Sequence, residues 1–150
     1  MGHYQGSPGE QRALDAYVKL MRAAESVTSR VNRQLDAAGL SISQFGVLEA
    51  LYHLGPLVLS DLARKILKTS GNLTMVVDNL EKRGLAERRP EPGDRRFVRV
   101  ALTAKGRKLI ASLFPSHARR IAAALAALSP SEQKALAALC RKLGKAQAGR

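Results

Sequence analysis

Between residues 11 and 38, apolar side chains recur at Leu14, Tyr17, Val18, Met21, Val27, Val31 and Leu35. These gaps follow the helical repeat and predict a long helix with one apolar face. Gly39 stands where glycine commonly follows a helix C-terminus. Ser41 or Ser43 caps a second helix, which carries Phe45, Val47, Leu48, Leu51 and Leu54 and closes at Gly55-Pro56. The brief apolar run Leu57-Val58-Leu59 reads as a short strand. Ser60 is expected to cap a helix over residues 61–67, with Asp61 near its positive end. Thr69, Ser70 and Gly71 make a turn into a further helix, from about Asn72 to Arg83, that buries Leu73, Val76, Val77 and Leu80 and ends at Gly84.

The period then changes. Residues 85–89 and 97–102 read as strands, with Val98, Val100 and Leu102 facing one way and Phe97, Arg99 and Ala101 the other. Pro90-Glu91-Pro92-Gly93-Asp94 is a turn-rich loop between them. Thr103 caps a long helix marked by Leu109, Ile110, Leu113, Ile121, Leu125 and Leu128. Pro115 lies within that pattern and is expected to kink or split it, since proline lacks an N–H and clashes with the preceding turn. Ser129-Pro130-Ser131-Glu132 is a capping box for a last helix with Leu136, Leu139, Cys140 and Leu143, beyond which the tail from Lys145 should fray. Residues 1–10 read as a disordered leader and residues 11–145 as a single domain, without internal repeats.

The fold class is therefore mainly α with a small antiparallel β wing. A helix pair followed by a ribbon whose tip carries Asp94, Arg95 and Arg96 has the layout of a winged helix-turn-helix. Such a unit offers a helix to the major groove of DNA and a basic finger to the minor groove beside it. The first turn of the helix from Asn72 presents small and polar groups suited to base edges and thymine methyls. The candidate DNA-binding residues are Lys68, Thr69, Ser70, Gly71, Asn72, Thr74, Met75, Asp94, Arg95 and Arg96. Asp94 is awkward as an anchor beside DNA but sensible as a bidentate brace for Arg96.

Composition narrows the partners. The formal net charge of +13 favours a polyanion, with nucleic acid ahead of an acidic membrane surface. Trp is absent and aromatics are 4%, which disfavours modules that stack single strands. One cysteine excludes an intrachain disulfide, and no apolar run reaches the roughly 20 residues needed to span a bilayer. The expected location is cytoplasmic, with no membrane association. No Gly-rich phosphate loop, metal-ligand spacing or paired nucleophile and base points to an enzyme, and no cofactor is expected. His3, His53 and His117 are scattered, and the latter two read as surface or pocket-wall residues.

The chain resembles the multiple-antibiotic-resistance regulator (MarR) family of transcription factors. The resemblance lies in Ser43-Gln44-Phe45-x-Val47-Leu48, Asp61-Leu62-Ala63, and Thr74-x-x-Val77-Asp78-x-Leu80-Glu81-x-x-Gly84-Leu85. It continues through Asp94-Arg95-Arg96, Val100-x-Leu102-Thr103-x-x-Gly106 and Leu128-Ser129-Pro130 with Glu132. It implies a winged helix-turn-helix over about residues 43–102, flanked by dimerisation helices at about 11–38 and 103–145. It also implies a homodimer reading a pseudo-palindromic operator on double-stranded DNA, usually as a repressor released by a small aromatic or phenolic effector. Tyr17-Val18-Lys19-Leu20-Met21-Arg22 and Leu51-Tyr52-His53 resemble the quinone- or phenol-responsive members, giving Tyr17, Met21, Phe45, Tyr52 and His53 as pocket candidates. Cys140 shares a stripe with Leu136 and Leu143 and reads as a core thiol at the dimer contact. The competing reading is a winged-helix interaction or dimerisation module that does not bind DNA.

Overall fold

A computed structural model of the chain describes residues 4–66 and 73–148. The elements run α1 (Pro8–Ala37), α2 (Ile42–Leu54), β1 (Leu57–Val58), α3 (Leu59–Lys65), α4 (Leu73–Lys82), β2 (Ala86–Glu91), β3 (Asp94–Leu102), α5 (Ala104–Ala124) and α6 (Pro130–Ala148). They divide into a terminal unit, Met1–Val31 with Arg119–Arg150, and a central unit, Asn32–Ala118.

In the central unit, Leu35, Phe45, Val47, Leu48, Leu51, Leu62, Val77, Leu80, Val100 and Ile110 form one core. Each such side chain contributes about 1.5–3 kcal/mol on leaving water, so the helix pair and the sheet stand on a shared foundation. The sheet has the order β1-β3-β2, antiparallel throughout, with Leu57 opposite Val100 and Ala86 opposite Leu102. Because β2 is an edge strand, Pro90 sits inside it without needing a ladder hydrogen bond.

The junction of β2, β3 and α5 explains the Leu-Thr-x-x-Gly pattern. Thr103 donates its hydroxyl to the Gly84 carbonyl at 2.6 Å and accepts the Gly106 N–H at 3.0 Å, capping α5. A Cβ on Gly106 would come within 1.8 Å of the Leu85 carbonyl oxygen, so only glycine lets α5 start this close to the sheet.

Several expected boundaries move. Residues 8–10 of the expected leader are helical, because Ser7 and Glu10 form a reciprocal capping box at 2.7 and 3.2 Å with Pro8 at the first helical position. Of the two candidate caps for α2, Ser41 fills the role, paired with Gln44. Ser60 does not cap α3; the helix leaves β1 directly, Val58 is the N-cap, and no side chain bonds there. The expected loop over residues 90–94 shrinks to Pro92 and Gly93, since Gly93 takes φ +88° and reverses the chain at once. Pro115 does not split its helix: α5 is continuous from Ala104 to Ala124, with Ile110 and His117 buried on either side of the proline. Leu125 and Leu128 lie in the turn that follows, where Gln133 donates to both of their carbonyls at 3.1 Å. The tail expected to fray is helical through Ala148.

In the terminal unit, α6 contains no buried residue. Cys140 is exposed in the single chain rather than held in a core. Leu14, Tyr17, Val18, Leu20 and Met21 on α1 are also exposed, as are Leu136, Leu139 and Leu143 on α6.

Candidate nucleic-acid interface

The wing is built by a register shift. Pro90 pairs with Val98, yet the next residue, Glu91, pairs with Asp94. Arg95, Arg96 and Phe97 therefore bulge from β3 without partners across the ribbon. A bulge of this kind re-aims side chains away from the ladder, and all three are exposed. Asp94 is the brace that the sequence suggests. Its carboxylate accepts the Arg96 Nε at 3.1 Å, the Arg96 Nη2 at 3.0 Å and the Arg96 backbone N–H at 3.0 Å. The Arg96 hydrogen bonds hold the Asp94 carboxyl below its usual range, and Asp94 in turn raises the guanidinium's pKa. The carboxylate is 31% exposed and the guanidinium-bearing side chain 86%, so the acid is tucked inward and the cation points out.

The other wing cations are less available than a count of basic residues suggests. Arg89 pairs with Glu87 and Arg99 with Glu91. Arg88 turns to α4, where it pairs with Asp78 at 2.8 Å, with Glu81, and with the Thr74 carbonyl at 3.4 Å. Burial works against the charged Arg88, but the hydrogen bonds to Asp78 and Glu81 outweigh it and raise its pKa. Among the described residues Arg95 has no acidic partner, which leaves Arg95 and Arg96 as the cations at the tip. The pairing of Arg88 is not among the features singled out in the sequence; its one trace there is the spacing of Asp78 and Glu81 on one face of α4.

Thr74 and Met75 lie in the first turn of α4 and are exposed, while Leu73, Val77 and Leu80 hold the opposite face in the core. Lys68, Thr69, Ser70, Gly71 and Asn72 lie outside the described residues.

The pocket candidates fall into two groups. Tyr17 and Met21 belong to the terminal unit and are exposed. Phe45, Tyr52 and His53 are brought together in the central unit with Phe114 and His117. The ring centroids are 4.5 Å apart for Phe45 and His117, 4.6 Å for His53 and Phe114, and 5.1 Å for Tyr52 and His53. His53 is exposed, but His117 is only 5% exposed, buried rather than a surface residue. Among the described residues, its Nδ1 and the Gln34 Nε2 are buried without hydrogen-bond partners, while Gln34 Oε1 accepts from Ser116 at 3.1 Å. Burial lowers the His117 pKa, against the opposing charge of Glu49, so the neutral ring is favoured.

A helix pair carrying a braced, arginine-tipped wing defines a winged helix-turn-helix DNA-binding protein. Comparison with known proteins agrees. The MarR family model matches residues 40–98. An uncharacterised HTH-type transcriptional regulator of Bacillus subtilis, YkoM, is 40% identical over 134 residues, covering 89% of this chain and 87% of the relative. The HTH-type transcriptional regulator MhqR of the same organism is 35% identical over 134 residues, covering 89% and 92%. The crystal structure of Sco3205, a MarR family regulator from Streptomyces coelicolor in complex with DNA, superposes with a TM-score of 0.79 at 26% identity, covering 97% of this chain and 91% of that one. BpsR of Bordetella bronchiseptica, whose DNA binding is regulated by 6-hydroxynicotinic acid, superposes at 0.76 with 29% identity, covering 87% and 98%. The chain belongs to the MarR family of transcriptional regulators. It is a DNA-binding regulator of transcription and not an enzyme. Among the described residues, no helix is long and apolar enough to cross a membrane.

Proposed function

We propose that the chain is a homodimeric repressor that reads a pseudo-palindromic operator and releases it when a small hydroxylated aromatic molecule binds. It would work in the cytoplasm, where the DNA is. The first turn of α4, with Thr74 and Met75, enters the major groove together with Lys68, Thr69, Ser70, Gly71 and Asn72. Arg95 and Arg96 enter the adjacent minor groove, whose narrow, electronegative form suits guanidinium groups. Asp94 sets the direction of Arg96. The observation that carries this reading is the brace itself: a carboxylate at a DNA-facing tip repels phosphate, and three hydrogen bonds to Arg96 give it a purpose there.

Release by a ligand is supported by the cluster of Phe45, Tyr52, His53, Phe114 and His117. Buried polar atoms without partners are costly, about 1–3 kcal/mol each. The Nδ1 of His117, whose ring lies against Phe45, and the Nε2 of Gln34, which is bonded to the neighbouring Ser116 through its Oε1, supply two such atoms. A ring bearing a hydroxyl supplies the missing bonds and stacks on its neighbours. The relation to BpsR and its hydroxylated aromatic effector points the same way.

The test is a selection of bound duplexes followed by titration of the selected site. We expect a palindrome, with Arg96→Ala lowering affinity about tenfold or more. Asp94→Asn should also weaken binding, although it removes a negative charge facing DNA. If Asp94→Asn instead tightens binding, the brace is wrong. Phenols added to the complex should release the duplex, and His117→Leu should raise the phenol concentration needed.

A further inference from the structure

At the end of the central unit away from the wing, an open groove of about 630 Å³ is lined by Lys82, Arg83, Lys105 and Lys108, over a floor that includes Leu85 and Leu109. We propose that this groove binds a small organic oxyanion carrying two or more negative charges, such as a phosphate ester or a polycarboxylate.

Four cationic side chains converge here, and among the described residues no carboxylate lines the groove. None of the four takes part in an ion pair among those residues, unlike Arg88, Arg89, Arg96 and Arg99 on the wing. Like charges gathered without partners repel, so the site is electrostatically incomplete. The C-terminal end of α4 offsets part of that, at roughly half an elementary charge. Two of the cations are already fixed. Arg83 donates Nη1 to the Gly39 carbonyl at 2.8 Å, and Lys105 donates Nζ to the Arg83 carbonyl at 3.0 Å. Among the described residues, Lys82 and Lys108 make no such bond, which leaves them able to close on a ligand. Lysine suits this task as a mobile point charge for phosphate or carboxylate. The volume lies in the range of small-molecule sites, about 300–1,000 Å³, and the leucine floor favours an anion with some carbon body over a bare ion.

The operator does not explain the groove. Lys105 stands three residues beyond Leu102, the C-terminal end of the nine-residue β3, whereas the arginine tip begins at its N-terminal end, Asp94. A strand of that length spans about 30 Å. Along α4, Lys82 and Thr74 stand at opposite ends of the helix. A duplex engaged by the wing and the first turn of α4 leaves this end of the lobe uncovered.

The experiment is calorimetric titration of the full chain with pyrophosphate and, separately, citrate at about 0.15 M salt, where the Debye length is about 8 Å. We expect saturable binding of one anion per chain. Lys82→Gln and Lys108→Gln should each weaken it about fivefold or more. Arg107→Gln removes the same charge from an exposed position on α5 outside the groove and should have little effect. Affinity for the selected operator should stay within about twofold in both lysine variants. Unsaturable binding, or an equal loss in Arg107→Gln, would overturn the site. So would an operator affinity that falls in step with pyrophosphate binding, since the lysines would then be duplex contacts.

Discussion

His117 shows how a single side chain ties stability to the proposed effector site. It sits 4.5 Å from the Phe45 ring and is nearly excluded from water, and its Nδ1 has no partner. Burial favours the neutral imidazole and lowers the pKa, while Glu49 pulls weakly the other way. The sign of the pH effect follows. As pH falls through about 6.5, the unfolded chain takes up the proton first. The folded chain lags, so stability falls from there until the folded pKa is passed. The urea midpoint should be level between pH 8 and 7 and should drop as pH falls below about 6.5. His117→Phe should flatten that drop. An unchanged profile in the variant would place the acid sensitivity elsewhere. The Asp94 pKa is lowered too, but there Arg96 favours the charged form, so the wing brace persists at neutral pH and is lost only in strong acid.

Between elements, the decisive contact is the one Arg88 makes from β2 to α4. It joins the strand that carries the wing to α4, the helix proposed to enter the major groove, through Asp78, Glu81 and the Thr74 carbonyl. Arg88→Met leaves two carboxylates one turn apart without their cation. We expect a loss on the order of 1 kcal/mol, read as a fall in Tm of about 2–4 °C. Specific operator affinity should fall further than affinity for random duplex, because the angle between helix and wing is no longer fixed. Asp78→Asn with Glu81→Gln in the same background should recover the Tm but not the specificity; recovery of both would make Arg88 a stability residue only. This contact was hidden in a sequence that otherwise disclosed the elements well. Hydrophobic period gave each helix and both wing strands, because burial enforces period. Period does not see which charge meets which, so it does not disclose the acidic partners of Arg88, Arg89 and Arg99. Nor does it see the burial of His117, which depends on Phe45 from a distant helix. The wing was legible for a different reason: Gly93 and the Asp94–Arg96 pair are local, and local chemistry survives in the order of residues.

At the scale of the molecule, the terminal unit poses the largest unmet demand. A helix of 19 residues, α6, buries nothing, and Leu136, Leu139 and Leu143 line it in the open. On α1 the same holds for Leu14, Tyr17, Val18 and Met21. Contiguous apolar faces of this kind seldom stay wet in a stable protein, and a second copy of the chain is the partner that the proposed palindromic operator requires. Each Å² of apolar surface removed from water contributes about 25 cal/mol, so pairing these faces supplies the core that the single chain lacks there. Leu136→Glu with Leu143→Glu should therefore convert the proposed dimer to a monomer in sedimentation. Operator affinity should fall steeply, because the two half-sites are no longer bound as one ligand. Cys140 gives an independent readout. It is exposed in one chain, on the same helix as those leucines. If the wild-type chain pairs as proposed, its reaction with a thiol reagent should be slow, and in the double variant fast. Equal rates in both would mean that α6 is not the covered face, and the pairing of the two wings would have to be built on α1 instead.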